Sequence, residues 1–302
     1  MNTFLKIHEA DNAWVALRNL PAGHLIQCEN SSFTLKEDIP AGHKFASQAI
    51  AKGNNIYKYG YPIGQALSDI QSGQHIHSHN LATNLSDNLT YKYQKEAINT
   101  DVSESNLTVN GYLRTDGRMG IRNELWIIPT VGCVNGIAQT MIDRLKKETD
   151  TNHIDDIRVY THNYGCSQLG DDLLNTQKGL AALAKHPNAG GVLVLSLGCE
   201  NNQQASFKKV MQDWDESRVR FLIAQEVEDE IEAGLSLLKE LVQEMKKDRR
   251  QPLPISLLKV GLKCGGSDGF SGITANPLQG RFSDWLIGQG GTTILTEVPE
   301  MF

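Results

Sequence analysis

The sequence LWIIPTVGC at residues 125–133 decides the fold, because its pattern, an apolar run that ends in a Gly-Cys corner, recurs along the chain. Related copies are IRVYTHNYGC at 157–166, GVLVLSLGC at 191–199 and, with Lys in place of the corner Gly, ISLLKVGLKC at 255–264. Successive cysteines in the first three copies are 33 residues apart, about the length of one strand-helix unit in a parallel sheet. The carboxyl ends of parallel strands share one edge, where open α/β sheets place their sites. We therefore expect convergence of Cys133, Cys166, Cys199 and Cys264.

Segments with helical spacing follow the corners, which predicts a mostly parallel, Rossmann-like αβα sheet domain over residues 109–302. The helices are expected after Cys133, after Cys166 and over 201–214, with a further charged helix before residue 250. Residues 1–84 differ, because short alternating runs are separated by Pro-Ala-Gly and Ser-Gly turns. That pattern predicts a small, mostly β domain with few helices. The polar segment 85–108 is predicted to be a linker.

Composition excludes several classes of protein. The 302 residues carry a formal net charge of −6, with a pI near 5.9, which argues against nucleic-acid partners and anionic membranes. The sequence has no apolar run long enough to span a bilayer, and we expect a cytoplasmic protein. Its five cysteines favour free thiols in metal or redox chemistry over a disulfide framework.

The Gly-Cys corners have two interpretations. A thiol between a strand and the next helix lies near the positive end of that helix, which favours thiolate. Three or four thiolates could hold an iron–sulfur cluster, and one or two could join histidines around a single metal ion. The alternative is structural, because a buried Gly-Cys pair packs closely as a small apolar unit.

The sequence His75-Ile76-His77-Ser78-His79 is the most pointed feature of the first domain. On a strand, the three imidazoles would project from one face, where they could supply part of a metal-coordination shell. The alternative is the solvent-facing side of an edge strand. The isolated histidines, His43 among them, are expected to be structural or exposed.

A glycine- and arginine-rich segment, GYLRTDGRMGIRNE at 111–124, precedes the first long strand. Its glycines predict a loop, and guanidinium groups in a loop suit carboxylate or phosphate recognition. We favour anion binding over the alternative, in which these arginines pair with local acids such as Asp116 and Glu124. The candidate binding residues are Arg114, Asp116, Arg118, Arg122 and Asn123.

Other polar residues accompany the corners and suit a polyhydroxy carboxylate, since amides and acids bind hydroxyls. They include His162 near Cys166, Asn201 near Cys199, and Lys263, Ser267 and Asp268 around Cys264.

Together the segments GYLRTDGRMGIRNE, VGCVN, HNYGCSQ, LGCE, KCGGSDGFSG and HIHSHN resemble the altronate/galactarate dehydratase family over nearly the whole chain. The first domain resembles that family's SAF (β-clip) domain. The resemblance implies hexuronate catabolism, with dehydration of D-altronate to 2-keto-3-deoxy-D-gluconate by removal of the α proton and metal-assisted loss of the β-hydroxyl.

The implied cofactor is Fe²⁺ or another divalent metal such as Mn²⁺, with an iron–sulfur cluster left open. His162 and Lys263 are the candidate bases, and His77 or His79 would serve the metal or proton transfer. The predicted metal ligands are His75, His77, His79, Cys133, Cys166, Cys199 and Cys264.

Members of this family usually continue beyond the last strand seen here, so we expect either a fragment or a shortened member of the family. Galactarate and sulfolactate-type substrates stay open as alternatives. A non-catalytic protein that binds sugar acids or serves in assembly is the alternative of another class, and self-association into a homo-oligomer is also left open.

Overall fold

The computed structural model describes residues 2–28, 31–84, 106–263 and 268–296. The chain divides into two compact units: unit 1 combines Met1–Glu104 with Lys259–Phe302, and unit 2 is Ser105–Leu258. We predicted one α/β domain over 109–302, whereas here the segment after Leu258 groups with the amino-terminal part. Most of the predicted linker, 85–105, lies outside the described residues.

Short strands form the amino-terminal part of unit 1, and the described residues up to 84 contain no helix, as predicted. The strands are β1 Phe4–Leu5, β2 Ala13–Ala16, β3 Leu25–Cys28, β4 Ser31–Thr34, β5 Lys44–Ala46, β6 Asn55–Lys58, β7 Tyr61–Ala66, β8 His75–Ile76 and β9 Leu81–Ala82. They pair antiparallel in three sheets, with the orders β1-β2-β5-β8, β3-β4 and β6-β7-β9.

A repeated glycine turn connects these strands. Each turn places a glycine three residues after a buried Leu or Ile, with φ between 78° and 82°, in the left-handed region that favours glycine. The four glycines are Gly23, Gly42, Gly53 and Gly73. A Cβ on Gly73 would lie 2.2 Å from the Thr34 carbonyl oxygen, so this turn also needs glycine for space. The Pro-Ala-Gly and Ser-Gly segments in the sequence therefore predicted three of these four turns, those at Gly23, Gly42 and Gly73.

Unit 2 combines two sheets with four helices among its described residues. Its elements are β10 Thr108–Leu113, β11 Met119–Gly120, β12 Glu124–Pro129, α1 Asn135–Glu148, β13 Asp156–Val159, α2 Gly170–Ala184, β14 Ala189–Ser196, α3 Gln204–Met211, β15 Val219–Ile223, α4 Glu230–Met245 and β16 Gln251–Pro254. The larger sheet has the order β13-β12-β14-β15, and all its strands are parallel.

Helices cover both faces of this parallel sheet. Every residue of β12 is buried, and its side chains alternate between two cores. Leu125 and Ile127 pack with α1 and α4, whereas Trp126 and Ile128 pack with α2 and α3. Helices follow the first three corners as predicted. The third, α3, is shorter than the predicted 201–214.

The arginine segment is a hairpin rather than the predicted loop. Strand β10 turns into β11, and it also pairs antiparallel with β16. The Arg114 N–H donates to the Arg118 carbonyl at 2.9 Å, and Gly117 has φ +81°. The Asp116-Gly117 pair is a strong signal for the hairpin of β10 and β11. The other partner of β10, strand β16, is more than 130 residues away in sequence.

The carboxyl-terminal part of unit 1 contains β17 Lys259–Leu262, α5 Ala275–Gly288 and β18 Thr292–Leu295. Strands β17 and β18 pair parallel as a separate two-stranded sheet. The fourth apolar run therefore does not join the sheet of the first three. Its corner residue, Cys264, lies outside the described residues, so its convergence with the others stays a prediction. None of the helices in the described ranges is long and apolar enough to cross a membrane.

Candidate functional site

Three Gly-Cys corners meet at the carboxyl edge of the parallel sheet of unit 2. They follow β13, β12 and β14, which are adjacent strands. Gly132 N–H donates to the Tyr164 carbonyl at 3.0 Å, and Asn201 N–H donates to the Cys166 carbonyl at 3.3 Å. The helix after β12, α1, and the helix after β14, α3, lie on opposite faces of the sheet. Such a switch point forms the usual ligand crevice of open α/β sheets. The predicted convergence is therefore confirmed for the backbones of three corners.

Glycine is needed at these corners because the loops touch through their backbones. A Cβ on Gly132 would lie 2.6 Å from the His162 carbonyl oxygen. Gly165 has φ +103°, and a Cβ there would lie 2.3 Å from the Thr130 carbonyl oxygen. Gly132 and Gly165 thus bring neighbouring loops together.

The thiols of Cys133, Cys166 and Cys199 are free and exposed. Across the described residues, no three His, Cys, Asp or Glu side chains form a group that could hold a metal ion. The predicted cysteine cluster is therefore not assembled in the part of the chain that the structure describes, and Cys264 lies outside it. The alternative of a buried Cys packing as a small apolar residue does not fit these exposed side chains either.

A buried carboxylate fastens the corner after β14. Glu200 is 2% exposed and accepts hydrogen bonds from the Thr130 hydroxyl at 2.8 Å and from Gly198 N–H at 2.6 Å. Asn202, also buried, donates to the Thr130 carbonyl at 2.8 Å. These bonds use residues at 200–202 that were predicted to start a helix, which explains why α3 begins at Gln204.

Both ring nitrogens of His162 are occupied by the backbone. Nε2 lies 2.8 Å from the Pro129 carbonyl oxygen, so Nε2 carries the proton and donates. Nδ1 then accepts from Tyr164 N–H at 3.1 Å. A general base needs a free lone pair near the substrate, and in this structure the backbone occupies both nitrogens of His162. The role of His162 as the base stays a prediction.

Asn135, at the start of α1, was not singled out by the sequence. Its amide donates to the His162 carbonyl at 2.8 Å, but its buried Oδ1 has no hydrogen-bond partner among the described residues. Buried acceptors are normally satisfied, so this oxygen marks a position where a ligand hydroxyl could donate. It lies in the chain two residues after Cys133. Asn201, which was predicted, donates its amide to the Gln168 carbonyl.

The arginine segment lies at the opposite, amino edge of the parallel sheet, since it precedes β12 directly. Arg114 donates to the Pro187 and Arg122 carbonyls and to Asn123 Oδ1. Arg118 pairs with Asp116, and Arg122 pairs with Glu124. The local ion pairs that the sequence offered as an alternative are therefore present, and the segment does not reach the Gly-Cys corners.

In unit 1 the rings of the predicted residues His75, His77 and His79 lie close together, and His43 lies beside them. Ring centroids are 5.1 Å apart for His43 and His75, 5.5 Å for His43 and His77, and 5.9 Å for His75 and His79. His43 Nδ1 lies 2.9 Å from His75 Nε2. We expected His43 to stand alone, but β5 pairs with β8 and brings it beside His75. These four residues are the histidine cluster.

The cluster is not the continuous strand that the alternating sequence predicted. Strand β8 ends at Ile76, and a turn follows. Asn80, 2% exposed, fastens this turn by accepting from His77 N–H at 3.0 Å and donating to the His75 carbonyl at 2.8 Å. His77 and His79 are exposed, and His75 is half-buried.

Burial in unit 1 favours the neutral forms of His43, His75 and Lys58. Burial, followed by His77 and Lys44, lowers the pKa of His43, and burial, followed by His43, lowers the pKa of His75. Burial also lowers the pKa of Lys58 to about 8, with Lys44 adding to the effect and Asp11 opposing it. Lys58 is 8% exposed.

The loop that begins at Asp268 contacts the part of unit 1 that carries the cluster. A Cβ on Gly42, next to His43, would lie 3.2 Å from the Gly269 Cα. Asp268 accepts from Phe270 N–H at 2.7 Å and from the Ser271 hydroxyl at 3.1 Å, and these bonds hold its pKa below the ordinary value. Lys263 is exposed, and its carbonyl accepts from Gln279. Ser267 lies outside the described residues.

The donor chemistry of the histidine cluster fits a divalent metal, since neutral imidazole is a common transition-metal ligand. The rings are neighbours, although no three donor atoms in the described chain already converge on one point. Of the seven predicted metal ligands, His75, His77 and His79 are the ones whose rings are neighbours here.

Three family models match the chain in succession. They are the altronate/galactarate dehydratase SAF domain over residues 2–84, the D-galactarate dehydratase/altronate hydrolase second domain over 111–246, and the D-galactarate/altronate dehydratase C-terminal model over 255–302. The chain belongs to the altronate/galactarate dehydratase family.

The chain is also similar to individual members of this family, to different degrees. The chain is 55% identical over 303 residues to an altronate dehydratase of Bacillus subtilis and 53% identical over 300 residues to one of Escherichia coli. It is 29% identical over 318 residues to the L-threo-forming galactarate dehydratase of Escherichia coli. These alignments cover 99% or more of the chain but only 61%, 61% and 60% of the respective relatives. The chain thus spans about three fifths of their length.

Proposed function

We propose that this protein is a hydro-lyase that dehydrates D-altronate to 2-keto-3-deoxy-D-gluconate. The observation that carries the proposal is the identity of 55% and 53% to two altronate dehydratases over essentially the whole chain, against 29% to a galactarate dehydratase. A Rossmann-like unit 2, with its crevice at the switch point, is the α/β scaffold on which we place part of the substrate site.

The reaction removes one molecule of water. A base takes the proton from C2, the C–H electrons form the C2–C3 double bond, and hydroxide leaves C3 and is protonated to water. The resulting enol takes up a proton at C3 and becomes the 2-ketone. The protein must therefore supply a base near C2 and stabilisation of the carboxylate and the leaving hydroxide.

We assign the metal to His75, His77 and His79, with His43 holding the His75 ring through the 2.9 Å contact between nitrogens. A divalent metal such as Fe²⁺ or Mn²⁺, when bound, supplies a Lewis acid for the leaving hydroxide. We prefer a single ion to an iron–sulfur cluster, because the imidazole rings of the histidine cluster are already neighbours in the described chain. With both His162 nitrogens occupied, we propose Lys263 as the base, and His77 only if it does not bind the metal.

The unpaired Asn135 Oδ1 and the corner residue Asn201 are the hydroxyl-binding groups we assign at the carboxyl edge. Asp268 and Ser267 remain proposed substrate-binding residues. Free thiols at Cys133, Cys166 and Cys199 also support the proposal of a cytoplasmic protein.

The test is turnover by the full-length protein under anaerobic conditions with added Fe²⁺. D-Altronate, galactarate and sulfolactate are supplied separately, and the 2-keto product is measured. Turnover of D-altronate above the other two substrates is expected. Faster turnover of galactarate or sulfolactate would identify that compound, instead of D-altronate, as the substrate.

A non-catalytic protein that binds sugar acids is separated by a second measurement. Such a protein would show a thermal shift with D-altronate but no 2-keto product at any metal concentration, and that result would overturn the enzymatic proposal.

A further inference from the structure

A cavity of about 510 Å³ opens at the amino edge of the parallel sheet of unit 2. The first residues of β14 and β15, Ala189 and Val219, form its floor, and the turn of the arginine hairpin and the end of α2 form its sides. This volume is in the range of small-molecule sites. The cavity lies at the opposite end of the strands from the Gly-Cys corners.

Arg114 enters this cavity with unused donors. Its Nε and Nη2 atoms donate to the Pro187 carbonyl, the Arg122 carbonyl and Asn123 Oδ1. Its Nη1 makes no hydrogen bond with any described residue, and its contact to Asp248 Oδ2 is 3.6 Å, beyond hydrogen-bond distance. The side chain is only 14% exposed. The three bonds of the other nitrogens hold Nη1 in a fixed position, ready to donate to a ligand.

Arg114 has Asp248 as an ion-pair partner at 3.6 Å, but no carboxylate among the described residues accepts a hydrogen bond from its Nη1. Arg218 takes both oxygens of Asp248, at 2.9 and 2.8 Å. Two guanidinium groups therefore share one carboxylate. Burial is the largest cause that lowers the pKa of Arg114, and Arg218 lowers it further, whereas Asp248 raises it. A monoanion would accept a hydrogen bond from Nη1, whereas the aspartates that line the cavity disfavour a dianion.

The rest of the lining suits a hydroxylated carbon chain. Asp213 is exposed, and its carboxylate has no hydrogen bond or ion pair with the described part of the chain, which leaves it free to accept from hydroxyls. The half-buried ring of Trp214 packs edge-on against Phe221, with ring centroids 5.3 Å apart, and also lines the cavity. Its indole can contact the C–H groups of such a chain.

We propose that this cavity binds a small hydroxycarboxylate monoanion through Arg114 Nη1, with Asp213 accepting from its hydroxyls and Trp214 against its carbon chain. The site is argued from unit 2 alone. Only the choice of D-altronate as the first probe rests on the proposed function.

The experiment follows the indole N–H signals of the full-length protein labelled with ¹⁵N on tryptophan. Trp214 is assigned with the variant Trp214→Phe, and Trp14 and Trp285 report on unit 1. Titration with D-altronate, D-gluconate and inorganic phosphate goes to about 10 mM, where a site with a Kd of about 1 mM is nine-tenths filled. A saturable shift of the Trp214 signal with both sugar acids is expected. Binding is read without turnover, so an inactive protein can still pass this test.

Three results would overturn the proposal: a Trp214 signal unmoved by either sugar acid, shifts confined to Trp14 and Trp285, or tighter binding of phosphate than of both sugar acids. Arg114→Lys keeps the charge but loses the fork, and we expect at least tenfold weaker binding, with Arg281→Lys in unit 1 as the matched control. Unchanged affinity in a folded Arg114→Lys would also reject the site. If that variant unfolds, Asp213→Ala replaces it, with a severalfold loss of affinity expected and unchanged affinity rejecting the site.

Discussion

The Gly-Cys corners of unit 2 and the histidine cluster of unit 1 use similar polar residues in opposite ways. At the corners, His162 and Glu200 form hydrogen bonds with groups of their own loop and of the neighbouring loop. In the cluster, the imidazoles contact one another, and His77 and His79 face solvent. A polar motif thus indicates a binding site only where the fold leaves its donors or acceptors unused.

Gly165→Ala should give the largest effect, because it attacks the interlocked corners directly. The new Cβ would meet the Thr130 carbonyl at 2.3 Å in a backbone conformation with φ +103°. We expect a loss of about 3 kcal/mol in the free energy of unfolding, measured by urea denaturation.

Gly179→Ala is the control for this change. Gly179 lies within α2, and a Cβ there meets no atom within 4 Å. This variant should be stabilised by about 0.5–1 kcal/mol. Equal stability of Gly165→Ala and wild type would show that the corners are not interlocked as described.

The sequence predicted the local part of this comparison. Apolar runs and helical spacing located β12, β13, β14 and the helices that follow, because those patterns depend on residues close in the chain. The run at 255–264 has the same local pattern, yet β17 pairs with β18 in unit 1. A strand pattern does not specify which strand will pair with it.

The site residues show the same limit. His43 reaches the cluster through the pairing of β5 with β8, over 32 residues. Arg114 is fixed by a carbonyl 73 residues away, and His162 by one 33 residues away. No local signal reports these contacts, so sequence reasoning named the right residue types and misjudged which of them the fold would occupy.

His75→Ala should remove metal binding, which tests the histidine side of the comparison. If the cluster holds the metal, loss of one imidazole ligand should lower the affinity for Fe²⁺ or Mn²⁺ by about 100-fold or more, on the scale of 10–100-fold for outer-shell partners. Metal content after anaerobic purification and dialysis measures the change.

Cys133→Ser, Cys166→Ser and Cys199→Ser are the matched variants for the corners, since all three thiols are exposed. Their metal content should equal that of the wild type. Loss of metal in the serine variants, with retention in His75→Ala, would move the metal site to the corners.

Lys58→Met tests whether burial of the Lys58 amine costs stability, and the variant should be more stable than the wild type. Burial lowers the folded-state pKa of Lys58 to about 8, below its unfolded value, so the unfolded chain binds more protons between about pH 8 and 10.5. Wild-type stability therefore rises with pH across that window. Below it, the variant should be more stable by about 1–2 kcal/mol, after allowance for solvent near the amine and for the lost contact with the Tyr59 ring.

Thermal or urea unfolding at pH 7 and pH 10 measures this difference, which should shrink at the higher pH. Lys52→Met, at an exposed position, is the control and should change stability little at either pH. A Lys58→Met variant less stable than wild type at pH 7 would mean that the charged amine is well paired in the folded state.

His162→Gln should have the smallest effect and separates a structural histidine from a base. Gln can donate to the Pro129 carbonyl in place of Nε2, so we expect kcat/KM for D-altronate to fall less than about tenfold, with an unchanged pH profile. Loss of a general base would instead cost about 100-fold or more and remove one limb of the pH profile. A large loss with an altered profile, in a variant that unfolds like the wild type, would mean that Nδ1 releases the Tyr164 N–H during turnover, and the corners would then resemble the histidine cluster in keeping an imidazole available for chemistry.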